Sequence, residues 1–111
     1  MKFLRLDDIA EESVSHNPQV KKRVMLRKGD VPHLTVFARA VFPPGEIAVS
    51  HAHADMSEVF FVESGKGHIS VNGKEYSLEK ASCVAVLPGE AHELANSSKE
   101  DLVIVYFGIS A

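Results

Sequence analysis

Short apolar runs, each ended by turn-forming residues, follow one another from Leu34 to the end of the chain. The runs are LTVFARAVF, EIAVSHAH, EVFFV, HISV, CVAVL and LVIVYFGI, and the breaks between them carry Gly, Pro, Asn and Ser. Strand-length runs at such short spacing predict an all-β sandwich or barrel without a long helix. Asn72-Gly73 is the strongest hairpin signal, because both residues tolerate the positive φ of a type I′ turn.

The first 33 residues have a less regular pattern. The segment from Asp7 to Ser15 predicts one short helical turn, and VKKRVML predicts a strand with a basic face. An unpaired strand edge promotes aggregation, so this strand must cover the domain's own barrel or that of a partner subunit. We therefore expect a single domain, with an N-terminal leader and strand over residues 1–33 and a β-barrel over residues 34–111.

Composition and charge exclude several kinds of partner. The 111 residues are 45% hydrophobic, which fits one soluble domain with its own core. Lys and Arg total 12 against 15 Asp and Glu, so the net charge of -3 gives no electrostatic reason to bind nucleic acid or anionic lipid. No apolar stretch reaches the roughly 18 residues of a membrane span. The opening MKFLRLDDIAEES becomes acidic early and lacks a secretory apolar run, so a cytoplasmic protein is expected.

Cys83 is the single cysteine of the chain. An internal disulfide is therefore excluded, and a reducing compartment fits this composition. Because Cys83 lies in an apolar strand-like run, we expect it to be a small buried side chain.

Two histidines one residue apart, in the run HAHADMSE, are the first candidates for chemistry. Residues two apart in a strand share a face, so His51 and His53 point the same way. The pattern places Ile47 and Val49 on that same face, which predicts that both imidazoles project into the barrel.

Glu58 opens the next strand and brings a carboxylate back beside the two imidazoles. Two histidines and one carboxylate resemble in type the ligand face that leaves metal positions open for substrate or oxygen. His92, in LPGEAHELAN, completes a set of three imidazoles and one carboxylate if its strand lies beside the first pair. A hydrogen-bonded polar cluster without an ion is the alternative, although a buried carboxylate is costly without a positive partner.

These residues match the two sequence motifs of the cupins. In the first motif a glycine is followed by five residues, HxH, three or four residues, glutamate, six residues and glycine. The matching residues are Gly45, His51, His53, Glu58 and Gly65. In the second motif Gly89, His92 and Asn96 match, whereas Ala81 stands where the first glycine is expected and Leu87 replaces the proline, which follows as Pro88. The chain thus resembles a small single-domain bacterial cupin over about residues 34–107.

The resemblance implies a six- to eight-stranded jelly-roll barrel and one divalent transition metal. It places the ion on His51, His53, Glu58 and His92, and iron, manganese, nickel, zinc, cobalt and copper all accept such ligands. Glu58 is either a ligand only or a ligand that also acts as a catalytic base. A homodimer is expected, because both faces of the EVFFV strand are apolar.

Four further residues are candidates for the lining of the pocket. Arg39 would hold an anionic substrate if it points inward, and would otherwise lie on an outer or dimer-facing surface. The other candidates are Met56, Phe60 and Tyr106. His16, His33 and His68 fall outside the motifs and receive no role.

Three classes of function remain open on these residues. A metal-dependent enzyme acting on a small oxygen-ligating molecule is the first, by dioxygenase-type oxidation or by non-redox isomerase or lyase chemistry. A module that binds a sugar or organic acid without turnover is the second, because no general acid or base can be named apart from the ligands. A metal that only stabilises the fold is the third.

Overall fold

Ten β-strands in two antiparallel sheets make up this protein, and the computed structural model describes all 111 residues. The strands are β1 (Glu12–Val14), β2 (Asn17–Arg27), β3 (Leu34–Phe42), β4 (Ile47–His51), β5 (Met56–Ser64), β6 (Gly67–Val71), β7 (Lys74–Leu78), β8 (Cys83–Val86), β9 (His92–Ala95) and β10 (Leu102–Ser110). A single 3-10 turn, Leu6–Asp8, precedes them. The prediction of an all-β single domain is confirmed. The structure has no helix with the length and apolar character needed to cross a membrane.

The two sheets enclose one shared core. The larger sheet has the order β1-β2-β3-β10-β5-β8, and the smaller has the order β4-β9-β6-β7. Alternating residues of both sheets supply the core: Val20, Ala40, Phe42, Phe60, Val62, Ile69, Leu78, Val86, Leu94, Leu102 and Ile104. Alternation of inward apolar and outward polar residues is the pattern that this packing of two sheets requires.

The N-terminal strands extend the larger sheet. β2 pairs with β3, with Val24 opposite Ala38, and its residue Val20 is fully buried. The segment from Asp7 to Ser15 is not the helical turn that its sequence predicts, because only Leu6–Asp8 forms a 3-10 turn and β1 pairs with β2. So short a segment cannot sustain an isolated helix, whereas pairing with β2 satisfies its backbone groups.

A β-bulge in β4 determines which of its side chains face the core. Ala48 lies opposite Leu94 of β9, whereas His51 lies opposite His92, so β4 has one extra residue between these two pairs. The extra residue shifts the alternation by one, which turns His51 inward. The prediction that Ile47 and Val49 share the inner face is wrong, since Ala48 packs on the core while Ile47 and Val49 are 41% and 52% exposed.

The turn before β8 keeps its bend although alanine replaces the expected glycine. Ala81 has φ 69°, in the left-handed region that glycine adopts without strain. Its backbone N–H donates to the carbonyl of Val62 at 2.8 Å, which holds the turn against β5. Gly65 also has a positive φ, and a Cβ at this position would lie 2.2 Å from the carbonyl oxygen of Asp101.

Asn96 and Cys83 mark two contrasting environments. Asn96 is 1% exposed, and its side-chain amide donates to the carbonyls of Phe42 and Glu100 at 2.9 and 2.7 Å. Cys83 is exposed, which contradicts the expectation of a buried thiol. It starts β8, at the edge of the larger sheet, where alternation places Val84 and Val86 toward the core instead.

Candidate metal centre

Two sheets supply the four side chains of the candidate centre. His51 ends β4, His53 follows it in the connection to β5, and His92 begins β9 directly opposite His51. Glu58 reaches the same place from β5 of the larger sheet, where it lies between Gly108 of β10 and Val86 of β8. The centre therefore forms where the two sheets face each other.

The four side chains offer ligand atoms that converge on one region. One donor atom from each of His51, His53, Glu58 and His92 lies within 4.8 Å of the other three. Ligand bonds of about 2.0–2.2 Å limit donor atoms on opposite sides of an ion to about 4.4 Å. Shifts of a few tenths of an ångström in the side chains would therefore complete a common coordination sphere.

Two buried polar atoms of the cluster have no hydrogen-bond partner, namely Oε1 of Glu58 and Nε2 of His92. They lie only 3.2 Å apart, and Nε2 of His53 is also 3.2 Å from the same oxygen. The distances are short enough for hydrogen bonds but the angles are not suitable, as is expected of lone pairs that point toward a shared centre. The residues therefore fit a divalent cation.

The outer nitrogens of two imidazoles are held by backbone carbonyls. Nδ1 of His51 lies 3.0 Å from the carbonyl oxygen of Val49, and Nδ1 of His92 lies 3.1 Å from that of Glu90. An N–H at Nδ1 that donates to a carbonyl leaves the Nε2 lone pair free for a metal. The backbone thus selects the tautomer that can coordinate an ion.

Glu58 also changes the proton affinity of His92. Burial lowers the pKa of His92, but the contacts with Glu58 and with the carbonyl of Glu90 outweigh burial, so the pKa is raised overall. A metal ion must displace this proton, and metal affinity is therefore expected to weaken as the pH falls.

A cavity of about 690 Å³ opens from the cluster, and its lining is mainly apolar. His51, His53 and Glu58 lie in its wall together with three of the predicted pocket residues, Met56, Phe60 and Tyr106. Its volume falls in the range of sites for small organic molecules. The structure thus places three of the four possible ligands in the wall of a space large enough for a substrate.

Arg39 does not line this cavity. Ala38 and Ala40 are the inward residues of β3, so Arg39 lies on the outer face of the sheet, where its guanidinium donates twice to Glu63 at 3.0 and 2.7 Å. This pair raises the pKa of Arg39 and lowers that of Glu63 through the hydrogen bonds between them. An anion-binding role for Arg39 inside the barrel is therefore excluded.

Tyr106 places a hydroxyl in the cavity wall. Burial, and to a smaller degree the negative charges of Glu58 and Glu12, raise its pKa to about 12, so the hydroxyl keeps its proton at neutral pH. It makes no hydrogen bond within the protein, and its ring centroid is 5.7 Å from that of Phe60. A substrate in the cavity can therefore accept a hydrogen bond from this group.

The N-terminal hairpin adds polar residues to the cavity that the sequence did not reveal. Lys22 of β2, together with Ser15 and His16 of the turn before it, lines the side away from β5. Asn17 fixes this hairpin to the smaller sheet, because its side-chain amide donates to the carbonyl of Ile47 at 2.7 Å. The one available sequence signal that Lys22 points inward was its spacing of two residues from Val20 and Val24, which are buried.

Comparison with known proteins agrees with this architecture. A family model described as a cupin domain matches residues 38–108. An oxalate-binding protein of Thermotoga maritima is 30% identical over 67 residues, which are 60% of this chain and 55% of that protein. The matched part thus spans little more than half of that relative.

Solved structures superimpose over nearly the whole chain. A predicted oxalate decarboxylase of Thermotoga maritima has a TM-score of 0.91 and 24% identity, over 99% of this chain and 100% of that chain. A sugar phosphate isomerase of the cupin superfamily from Silicibacter pomeroyi has a TM-score of 0.83 and 16% identity, over 99% of this chain and 76% of that chain. At these identities the likeness concerns the fold alone. With the jelly-roll fold and the family match in agreement, the chain belongs to the cupin family.

Proposed function

We propose that this protein is a metal-dependent cupin that oxidises a small oxygen-ligating organic molecule by dioxygenase-type chemistry. The observation that carries the proposal is the pair of unpartnered ligand atoms of Glu58 and His92, next to a mainly apolar cavity that Glu58 helps to line. These four residues would hold the ion and would leave it open to a small oxygen-ligating molecule. A redox-active metal such as iron or manganese, when bound to His51, His53, Glu58 and His92, would supply the electron-transfer chemistry.

The residues around the cluster would bind and orient the substrate. Phe60 and Met56 would exclude water from the reacting atoms, and the hydroxyl of Tyr106 would donate a hydrogen bond to a substrate oxygen. Glu58 is the only carboxylate in the cavity wall, so we assign it a second role as the base that accepts a proton from the bound substrate.

Metal content and oxygen uptake test the proposal together. The protein is purified without added metal, its bound elements are measured, and oxygen consumption is followed with 1,2-dicarbonyl compounds and catechols. Iron or manganese near one equivalent, with uptake that is lost in His53→Ala, would support the oxidative function. His68→Ala is the matched control, because His68 lies outside the cluster and contacts Ser97 and Glu75 instead. Isomer or cleavage products without oxygen uptake would replace oxidation by isomerase or lyase chemistry.

Binding of an organic acid without turnover is the second candidate. The oxalate-binding protein of Thermotoga maritima, 30% identical over 67 residues, favours it. So does the absence of a second carboxylate in the cavity wall, since Glu58 already belongs to the cluster. A metal-bound acid that co-purifies with the protein, with no product formed on prolonged incubation, would favour this candidate over the enzyme.

We also propose that two copies associate through the outer face of the larger sheet. Apolar side chains gather there on β5 and β10, and Phe61 and Ile109 are 44% and 42% exposed. Burial of such a patch against a second copy removes apolar surface from water. Sedimentation equilibrium tests this: Phe61→Asp should convert a dimer to a monomer with the same metal content.

The lone cysteine supports a cytoplasmic location.

A further inference from the structure

Lys22 is the cationic side chain whose position the metal centre does not explain. It lies on the inner face of β2 between Val20 and Val24, which are 0% and 7% exposed, and it is itself half-buried in the cavity wall. Lysine is rarely placed among buried apolar residues unless its ammonium has a partner.

No protein group partners this ammonium. Lys22 forms no hydrogen bond, and no carboxylate oxygen lies within 4.0 Å of it. Glu12 stands directly opposite on β1, but its carboxylate is bound to the guanidinium of Arg27. The neighbouring Lys21, in contrast, points outward and donates to the hydroxyl of Ser13 at 3.0 Å. Lys22 therefore has a positive charge without a protein partner, on a residue that lines the cavity.

The register of the larger sheet separates Lys22 from the metal centre. Lys22 lies in one lateral row with Ala40, Ile104 and Val62, and Val62 is four residues beyond Glu58 on β5. On a flat sheet, four residues along and three strands across amount to about 20 Å between the Cα atoms. Curling of the sheet and the inward reach of both side chains shorten this gap. The two groups still lie in different parts of the cavity, with Tyr106 in the row between them.

We propose that Lys22 is an anion subsite, which binds a terminal carboxylate or phosphate of a ligand whose other end is held at the His–Glu cluster. This inference rests on the proposed function for the metal end of the ligand. It narrows the substrate class to organic acids longer than a two-carbon diacid, with the anionic group remote from the metal-ligating oxygens. A cavity of about 690 Å³ has room for such a molecule.

Lys22→Met tests the subsite, because methionine keeps an unbranched side chain and removes the charge. Calorimetry on the metal-loaded protein measures the affinity for dicarboxylates from malonate to suberate, for 3-phosphoglycerate, and for monocarboxylates of matched chain length. For the best anion with two charged ends we expect Lys22→Met to weaken binding about tenfold or more. The matched monocarboxylate should change less than twofold, and Lys22→Arg should restore most of the affinity. Preference for suberate-like acids or for 3-phosphoglycerate identifies the anion as carboxylate or phosphate.

Lys21→Met is the control, since it removes a charge from the other face of the same strand. Metal content and melting temperature are measured for every variant, so that misfolding is recognised. The anion subsite is wrong if every probe binds to Lys22→Met and to the wild type with the same affinity. It is also wrong if Lys21→Met weakens binding as much as Lys22→Met does. Neither result would count against the metal centre. If the wild type takes up no metal, the proposed function fails. The affinity of the wild type for the anion with two charged ends, divided by that of Lys22→Met, is then measured on the metal-free protein. A ratio of about ten supports the subsite, and a ratio of about one overturns it.

Discussion

Replacement of Glu58 by Gln distinguishes a metal centre from a hydrogen-bonded polar cluster. Glu58 is 6% exposed and its Oε1 accepts no hydrogen bond. In the metal-free protein this carboxylate is therefore buried without a hydrogen-bond donor for Oε1, and we compare the variants at pH 8.5. The glutamine side chain has the same shape without the charge, and its amide can donate to an Nε2 lone pair. We expect Glu58→Gln to stabilise the metal-free protein by roughly 1–3 kcal/mol.

Addition of metal should reverse this order. The wild type gains about 2.7 kcal/mol at a metal concentration of 100 times its Kd, whereas the variant lacks the charged ligand and gains less. The pH also matters, because the raised pKa of His92 stabilises the folded state below the ordinary imidazole value. This contribution is lost as the pH rises through the raised pKa of His92, so the difference in stability between Glu58→Gln and the wild type should grow as the pH is raised toward 8.5.

Thermal unfolding with and without metal measures both effects, and 1 kcal/mol corresponds to about 4–8 °C for a domain near this size. Glu63→Gln is the control on the same strand. It breaks an exposed pair with Arg39, which should change stability by less than about 1 kcal/mol at either metal level. A metal-free Glu58→Gln protein that unfolds below the wild type at pH 8.5 would show that Glu58 holds the cluster together by hydrogen bonds. A metal centre at Glu58 would then be refuted.

Two further substitutions and one deletion test the centre and the fold. His53→Ala should remove most of the bound metal and keep the β signature in circular dichroism; unchanged metal content would count against the site. Deletion of Val49 should remove the bulge and restore regular pairing with His51 still opposite His92 and inward, so metal uptake in elemental analysis should stay near the wild-type level. Loss of uptake in this deletion variant would show that strand register alone does not set the direction of the histidine. Ala81→Gly should raise the free energy of unfolding by about 0.5–1 kcal/mol in urea titrations, because glycine relieves the strain of a positive φ. A loss of stability there would mean that the alanine side chain stabilises the turn.

The sequence predicted the strands and the ligand candidates for different physical reasons. Apolar runs and turn residues are local signals, and they were sufficient for β3 to β10. The spacing of the two motifs singled out His51, His53, Glu58 and His92, which the structure brings within 4.8 Å of one another. The bulge in β4 has no local signal, because the spacing of Ile47, Val49 and His51 by two residues continues smoothly through the strand. The partner strand imposes the extra residue, so the orientation of Ile47 could not be read from β4 alone.

The sequence alone also could not predict the direction of side chains that depends on strand pairing. Both faces of β3 are largely apolar, so alternation did not decide whether Arg39 points inward; the carboxylate of Glu63 on β5 decides it. Lys22 was recognised only as part of a basic strand, because its inward direction follows from the pairing of β2 with β3. His16 reaches the cavity through the turn between β1 and β2, where its φ is 67°.

The attachment of the N-terminal hairpin has a consequence for access to the cavity. β1 has only three residues, and one side-chain hydrogen bond, from Asn17 to Ile47, ties the hairpin to the opposite sheet. Segments with so few tertiary contacts open at a small fraction of the free energy of global unfolding. We expect amide protons of residues 12–17 to exchange with deuterium long before those of β10. A molecule could thus enter by brief detachment of this corner, while the buried strands that carry Glu58 and His92 stay in place.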